Sequence, residues 1–253
     1  MQLEKDMTSH SNSPAEVPRR NFLKLIGVGG AATALPLGET RAASSASAQP
    51  APAGGNSTVT AATPSNVFFN SVEAQFVDAA VDTLIPSDAR GPGALELGVS
   101  VFIDRQMGGS YGKGYRLYLE GPFAEGTPQQ GYQLALTPAE LMKAGIADID
   151  EYVQKKHNAN FADLKTDDRA AVLSDIETGK AELATVPGAA FFNLLLQLTI
   201  EGYFSDPIYG GNKNKAAWKM IGFPGAGVIF TDLIGKYRNK KYDAGPVDIQ
   251  DLS

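Results

Sequence analysis

The stretch from Phe191 to Phe204 constrains this chain more than any other. It is apolar almost all the way round a helix, and such a helix is normally buried in a core. It is shorter than the about 20 apolar residues that cross a bilayer. Asn193, Gln197 and Glu201 interrupt it at a four-residue spacing that puts them on one face. That stripe reads either as buried or half-buried hydrogen-bonding side chains or as a contact to a partner protein. Asp206-Pro207 stops the helix, and Gly210-Gly211 makes a tight turn. Asn212 can cap the short helix that carries Trp218. The other elements have to assemble around this segment.

They too have a helical period. Asn70-Ser-Val-Glu73 is a capping box, followed by Val72, Phe76, Ala79, Ala80, Thr83 and Leu84 on one face, with Pro86 as the stop. Gly91-Pro-Gly93 marks a loop, and a second helix is expected over Ala94 to Met107. Tyr115 to Glu120 reads as a short helix. Thr137-Pro-Ala-Glu140 is a second capping box, opening an amphipathic helix that ends near Lys155-Lys-His157, cations suited to a helix C-terminus. Thr166 is expected to cap a helix running to about Glu177, and Val228 to Tyr237 is a short apolar piece. No strand-like alternation of any length is present. The fold class is all-α: an irregular helical domain around one buried central helix, over residues 67–237, with a polar tail at 238–253.

Before the domain lies an address. Arg19-Arg20-Asn-Phe22-Leu23 is a twin-arginine pattern, and a mild apolar run from Leu25 to Leu37 follows. Ala46-Ser-Ala48 offers a cleavage site, so residues 1–48 read as a twin-arginine signal peptide. Residues 49–66 are rich in Ala, Pro, Gly, Ser and Thr, the composition of a flexible linker. The expected location is the periplasm.

Most site chemistries find no residues here. There is no cysteine, which excludes disulfides, thiolate zinc sites and iron–sulfur ligation by this chain. Of the two histidines, His10 lies in the signal, and His157 reads as a solvated helix-end residue. One histidine cannot complete a tetrahedral zinc site or bis-ligate a haem. The formal net charge of -6 argues against a nucleic-acid partner. Asp82, Asp88 and Glu96 flank one loop but lack the calcium-loop spacing of an EF-hand. Gly108-Gly109 and Gly210-Gly211 follow helices, not strands, so they read as turn residues.

Paired carboxylates remain open. Asp104, Glu120, Glu140, Asp148, Asp150, Glu151, Glu201 and Asp206 are available, and Glu201 stands out because it ends a very apolar helix where burial would raise its pKa. A stand-alone periplasmic sugar-binding protein or carboxylate-dependent hydrolase is the alternative these acids allow. The leading candidate is the aromatic block, with Tyr203, Phe204, Asp206, Tyr209, Trp218 and Phe223 as residues of a partner interface. Packing of the same loop onto the central helix explains these residues equally well.

Glu201-Gly-Tyr-Phe-Ser-Asp-Pro-Ile-Tyr-Gly-Gly-Asn212, followed by Trp218-Lys-Met-Ile-Gly-Phe-Pro-Gly225, resembles the signature of the gluconate 2-dehydrogenase subunit 3 family. Asp82 to Pro86, Gly91 to Gly98, Phe102 to Arg105, Tyr118 to Phe123 and Leu136 to Glu140 are similar as well. The resemblance implies a small subunit without its own cofactor or catalytic residues. It would bind a flavoprotein large subunit carrying FAD, with a cytochrome c subunit carrying haem c. It would stabilise the flavoprotein and co-export it through the twin-arginine translocase to the periplasmic face of the inner membrane. Membrane association would come through the complex.

Overall fold

The computed structural model describes residues 66–115, 117–124, 126–127, 130–131, 133–227 and 231–253. The signal-peptide reading, with Arg19, Arg20, Phe22 and Leu23, lies outside them, as does the linker up to residue 65. Seven α-helices occur among the described residues: α1 Ser71–Leu84, α2 Val99–Gly108, α3 Pro138–His157, α4 Thr166–Glu177, α5 Gly188–Phe204, α6 Ala216–Ile221 and α7 Thr231–Tyr237. No strand forms there; two isolated bridges, Asp88 with Gly91 and Gly225 with Val247, are the only β pairing among these residues.

Both capping boxes are made. Asn70 accepts from the amides of Val72 and Glu73, and Glu73 accepts from the Asn70 amide. Thr137 and Glu140 repeat the exchange at the start of α3. Helix α5 is the centre: α2, α3 and α4 all pack against it. Phe76 of α1, Phe161 and Phe191 of α5 form its aromatic heart, with Phe76 and Phe161 centroids 4.6 Å apart. All three are fully buried, and aromatic pairs at such distances add to the stabilisation from area alone.

Several expectations give way. The second helix starts at Val99, not Ala94, because Gly98 adopts a left-handed φ of 75° and breaks the turn. Tyr115 to Glu120 is not helical where described. Lys165, not Thr166, precedes α4, and no side chain caps it. Val72 is 56% exposed, so the apolar face of α1 begins at Phe76. His157 is half-buried, with Nε2 screened from solvent, rather than solvated.

Buried aspartates tie distant segments to this frame. Asp104 of α2 accepts from the amides of Val67, Phe68 and Phe69 at 2.7–3.0 Å. Asp148 of α3 accepts from the amides of Thr185 and Val186 and from the Thr185 hydroxyl. A carboxylate supplies up to four acceptor sites, so one side chain satisfies the donors of a whole turn. These acids were candidates for paired-carboxylate chemistry; their oxygens are instead committed to backbone donors.

Candidate functional site

The C-terminal end of α5 leaves carbonyls with no partner inside the helix. The residues after it supply the partners. Trp218 Nε1 donates to the Phe204 carbonyl at 2.8 Å. Asn212 donates from Nδ2 to the Ser205 carbonyl and accepts at Oδ1 from the Ala217 amide, both at 2.9 Å. One side chain thus ties the exit of α5 to the first turn of α6, but not as the cap the sequence suggests: Lys215 is the N-cap residue of α6, and its side chain makes no capping bond. The turn between them is made at Gly210, where φ is 110°. Asp206 caps the 3-10 turn Pro207–Tyr209 through the Ile208 amide and also accepts from Ile249. Tyr203 reaches the other way and donates to the Pro92 carbonyl at 2.8 Å. Burial, then the negative charges of Asp88 and Glu96, push its hydroxyl above the ordinary tyrosine pKa.

The six residues named from sequence therefore divide. Tyr203, Asp206 and Trp218 are buried and build the framework. Phe204, Tyr209 and Phe223 are 38%, 51% and 44% exposed. Phe223 lies edge-on to Trp218 at 5.2 Å, and Phe204 edge-on to Tyr203 at 5.0 Å. Ile208 of the 3-10 turn and Met220 and Ile221 at the end of α6 add further exposed apolar surface. Sequence reading missed these three, since single aliphatics in a turn or at the end of a short helix carry no signal of exposure. It also missed Ile249 and Leu252, exposed residues of a tail read only as polar.

The polar stripe on α5 is neither buried nor half-buried. Asn193, Gln197 and Glu201 are exposed, and Gln197 donates to Glu201 at 2.8 Å. The expected desolvation of Glu201 is absent, and this helix presents one polar edge to solvent. Of the other acids, Asp150 is pushed above the ordinary carboxylate range by burial, partly opposed by its bond from the Phe161 amide. It lies on α3, on an element apart from the aromatic loop. Asp82 pairs with Arg169, and Glu96 accepts from Ser87. Among the described residues no group of three or more His, Cys, Asp or Glu side chains could hold a metal. An open cleft of about 490 Å³ is lined by Ser87, Asp88, Glu96, Leu97, Lys213 and Asn214 among others; neither Glu201 nor Asp206 lines it.

Residues 71–225 match the family model described as gluconate 2-dehydrogenase subunit 3. No curated protein and no solved structure gives a match.

Proposed function

Because the chain belongs to the gluconate 2-dehydrogenase subunit 3 family, we propose that it is a non-catalytic small subunit of a flavin-dependent dehydrogenase of gluconate or a related sugar or polyol. FAD and haem c then reside in the partners, a flavoprotein large subunit and a cytochrome c subunit. The observation that carries this reading is the exposed apolar rim of Phe204, Ile208, Tyr209 and Phe223, at the end of α5 and in the segments that follow it, held by buried polar side chains. Aromatic side chains fixed in advance lose little freedom on docking, and they recur at the energetic centres of interfaces. In the same reading Arg19 and Arg20 address the chain to the twin-arginine translocase, and the flavoprotein crosses with it. The complex works at the periplasmic face of the inner membrane and is held there through its other subunits.

A stand-alone sugar-binding protein or carboxylate-dependent hydrolase has less support. Glu201 is exposed and bonded to Gln197, and both Asp206 oxygens are occupied by amides. The test is purification of the chain alone and together with the flavoprotein. The chain alone is expected to be colourless and inactive, and the flavin and dehydrogenase activity to appear only in the complex. Turnover by the chain alone would overturn the proposal.

A further inference from the structure

The matched family region ends at residue 225, yet the chain returns to the candidate loop after it. The Val247 amide donates to the Pro224 carbonyl, and the Ala226 amide donates to the Val247 carbonyl at 2.7 Å. Gly225 and Val247 form a parallel bridge. The Ile249 amide donates to Asp206 at 3.0 Å. Lys215 Nζ then spans two carboxylates, Asp248 at 3.1 Å and Asp251 at 2.5 Å. Asp248 and Asp251 also accept from each other's amides, at 3.0 and 2.9 Å, which fixes both carboxylates for the lysine.

What the lysine holds matters. Asn214 and Lys215 both sit at φ 58°, and Asn212 at φ 47°. Three non-glycine residues in the left-handed region within four positions are unfavourable, and they persist only where the surroundings over-determine them. Asn212 is held by Ser205 and Ala217. Lys215 is held from residues 248 and 251, and Asp206 from residue 249. Both ends of the Asp206–Lys215 loop are thus gripped by one short segment beyond the family region.

We infer that residues 247–252 form a strap that positions the candidate loop and extends its exposed face with Ile249 and Leu252. Lys215, Asp248 and Asp206 are positioning residues in this arrangement, and the face is the one named in the functional proposal, on which the inference rests.

The test is hydrogen–deuterium exchange on the full chain, on a variant lacking residues 247–253, and on Lys215→Met and Lys215→Arg. Peptides from 206–217 report the loop, and peptides from the middle of α5 report the core. Deletion is expected to speed exchange in the loop by about tenfold or more while α5 changes by less than about twofold, the pattern of a locally opening unit. Lys215→Met should give a smaller increase in the same peptides, and Lys215→Arg should restore protection. Unchanged loop exchange after deletion would overturn the inference, as would equal loosening of loop and α5. Binding of the flavoprotein separates the two readings. If Tyr209→Ala abolishes binding and Ile249→Glu leaves it intact, the extended face is wrong and the functional proposal stands. If neither affects binding, the functional proposal fails while the exchange result still judges the positioning role.

Discussion

The carboxylate of Asp206 accepts a hydrogen bond from the amide of Ile249 at 3.0 Å, 43 residues further along the chain, while its other oxygen caps Ile208. Asp104 does the same for the segment that enters the domain and Asp148 for the loop that precedes the central helix. Charge is kept in the interior here as an organiser of backbone. Each carboxylate replaces the ladder that a helix or strand would otherwise give to an irregular segment.

Removing these acceptors should cost more than removing exposed acids. A buried donor left without a partner costs about 1–3 kcal/mol. Asp206→Ala is therefore expected to lower the unfolding free energy by about 2 kcal/mol. Asp104→Ala should lower it further, because three amides lose their acceptor at once. Urea unfolding followed by circular dichroism measures both, and Glu201→Ala serves as an exposed control that stays within about 0.5 kcal/mol of the parent. Equal effects at Asp206 and Glu201 would refute the organising role.

Gly145 on α3 faces the ring of Phe191 on α5, and a Cβ there would run into Phe191 Cδ2 and Cγ. Gly145→Ala gains in helix propensity, by up to about 1 kcal/mol. Overpacking a tight core costs about 1–3 kcal/mol. The clash wins, so the variant should melt below the parent. A higher melting temperature would mean that α3 and α5 can move apart freely.

Export tests the proposed twin-arginine address independently. Replacing Arg19 and Arg20 together by lysine keeps the charge and removes the receptor-read pattern. The chain should then remain in the cytoplasm, and the flavoprotein with it. Normal periplasmic dehydrogenase activity in that double variant would refute co-export and leave a purely structural subunit role.

The helices with local signals were legible. Capping boxes at Asn70 and Thr137 and the stop at Asp206-Pro207 are short-range chemistry, written in neighbouring residues. The all-α class followed from the period. What stayed hidden was non-local. That Trp218 lies inside is tied to the Phe204 carbonyl, fourteen residues before the tryptophan. That Asn193, Gln197 and Glu201 are exposed depends on which face α2, α3 and α4 leave open. The strap at residues 247–252 looked like a polar tail because its partners, Lys215 and Asp206, lie far upstream. Gly98 is the converse case: a single glycine overrode an otherwise continuous helical period.

The strap should open in acid before the core does. Lys215 is held above the ordinary lysine pKa by Asp251 and Asp248, and Asp251 is held below the ordinary aspartate range by Lys215. A raised lysine contributes stability below its unfolded pKa and loses it as pH rises through the folded value. A depressed aspartate contributes above its unfolded pKa and loses it as pH falls through the folded value. The clasp is thus fully present between about pH 4 and pH 10, the two unfolded values. The charged groups in it are Lys215, Asp248, Asp251 and Asp206. Trp218, the only tryptophan in the chain, lies three residues from Lys215 and reports on it. Its fluorescence should be constant across that window and change below about pH 4 and again above about pH 10. Lys215→Met should move the acid change to higher pH. An identical titration in that variant would remove the clasp from the account.

Tyr209 and Trp218 are expected to part company, since one is half-exposed and the other is 5% exposed and bonded to Phe204. Trp218→Ala removes a buried ring, which costs about 3–5 kcal/mol, and frees the end of α5. The melting temperature of the isolated subunit should drop sharply, and any loss of flavoprotein binding would follow from unfolding. Tyr209→Ala touches no core contact, so its melt should match the parent within about 0.5 kcal/mol. Its effect should fall on association instead. A central aromatic anchor contributes at least about 2 kcal/mol, more than a decade in affinity. Calorimetry of the isolated variants and copurification of the flavoprotein measure the two quantities separately. A normal melt with lost binding for Tyr209→Ala places the partner on this face. A normal melt with normal binding would remove Tyr209 from it, and the same pair of measurements on Phe204→Ala and Phe223→Ala would decide whether any of the rim is an interface.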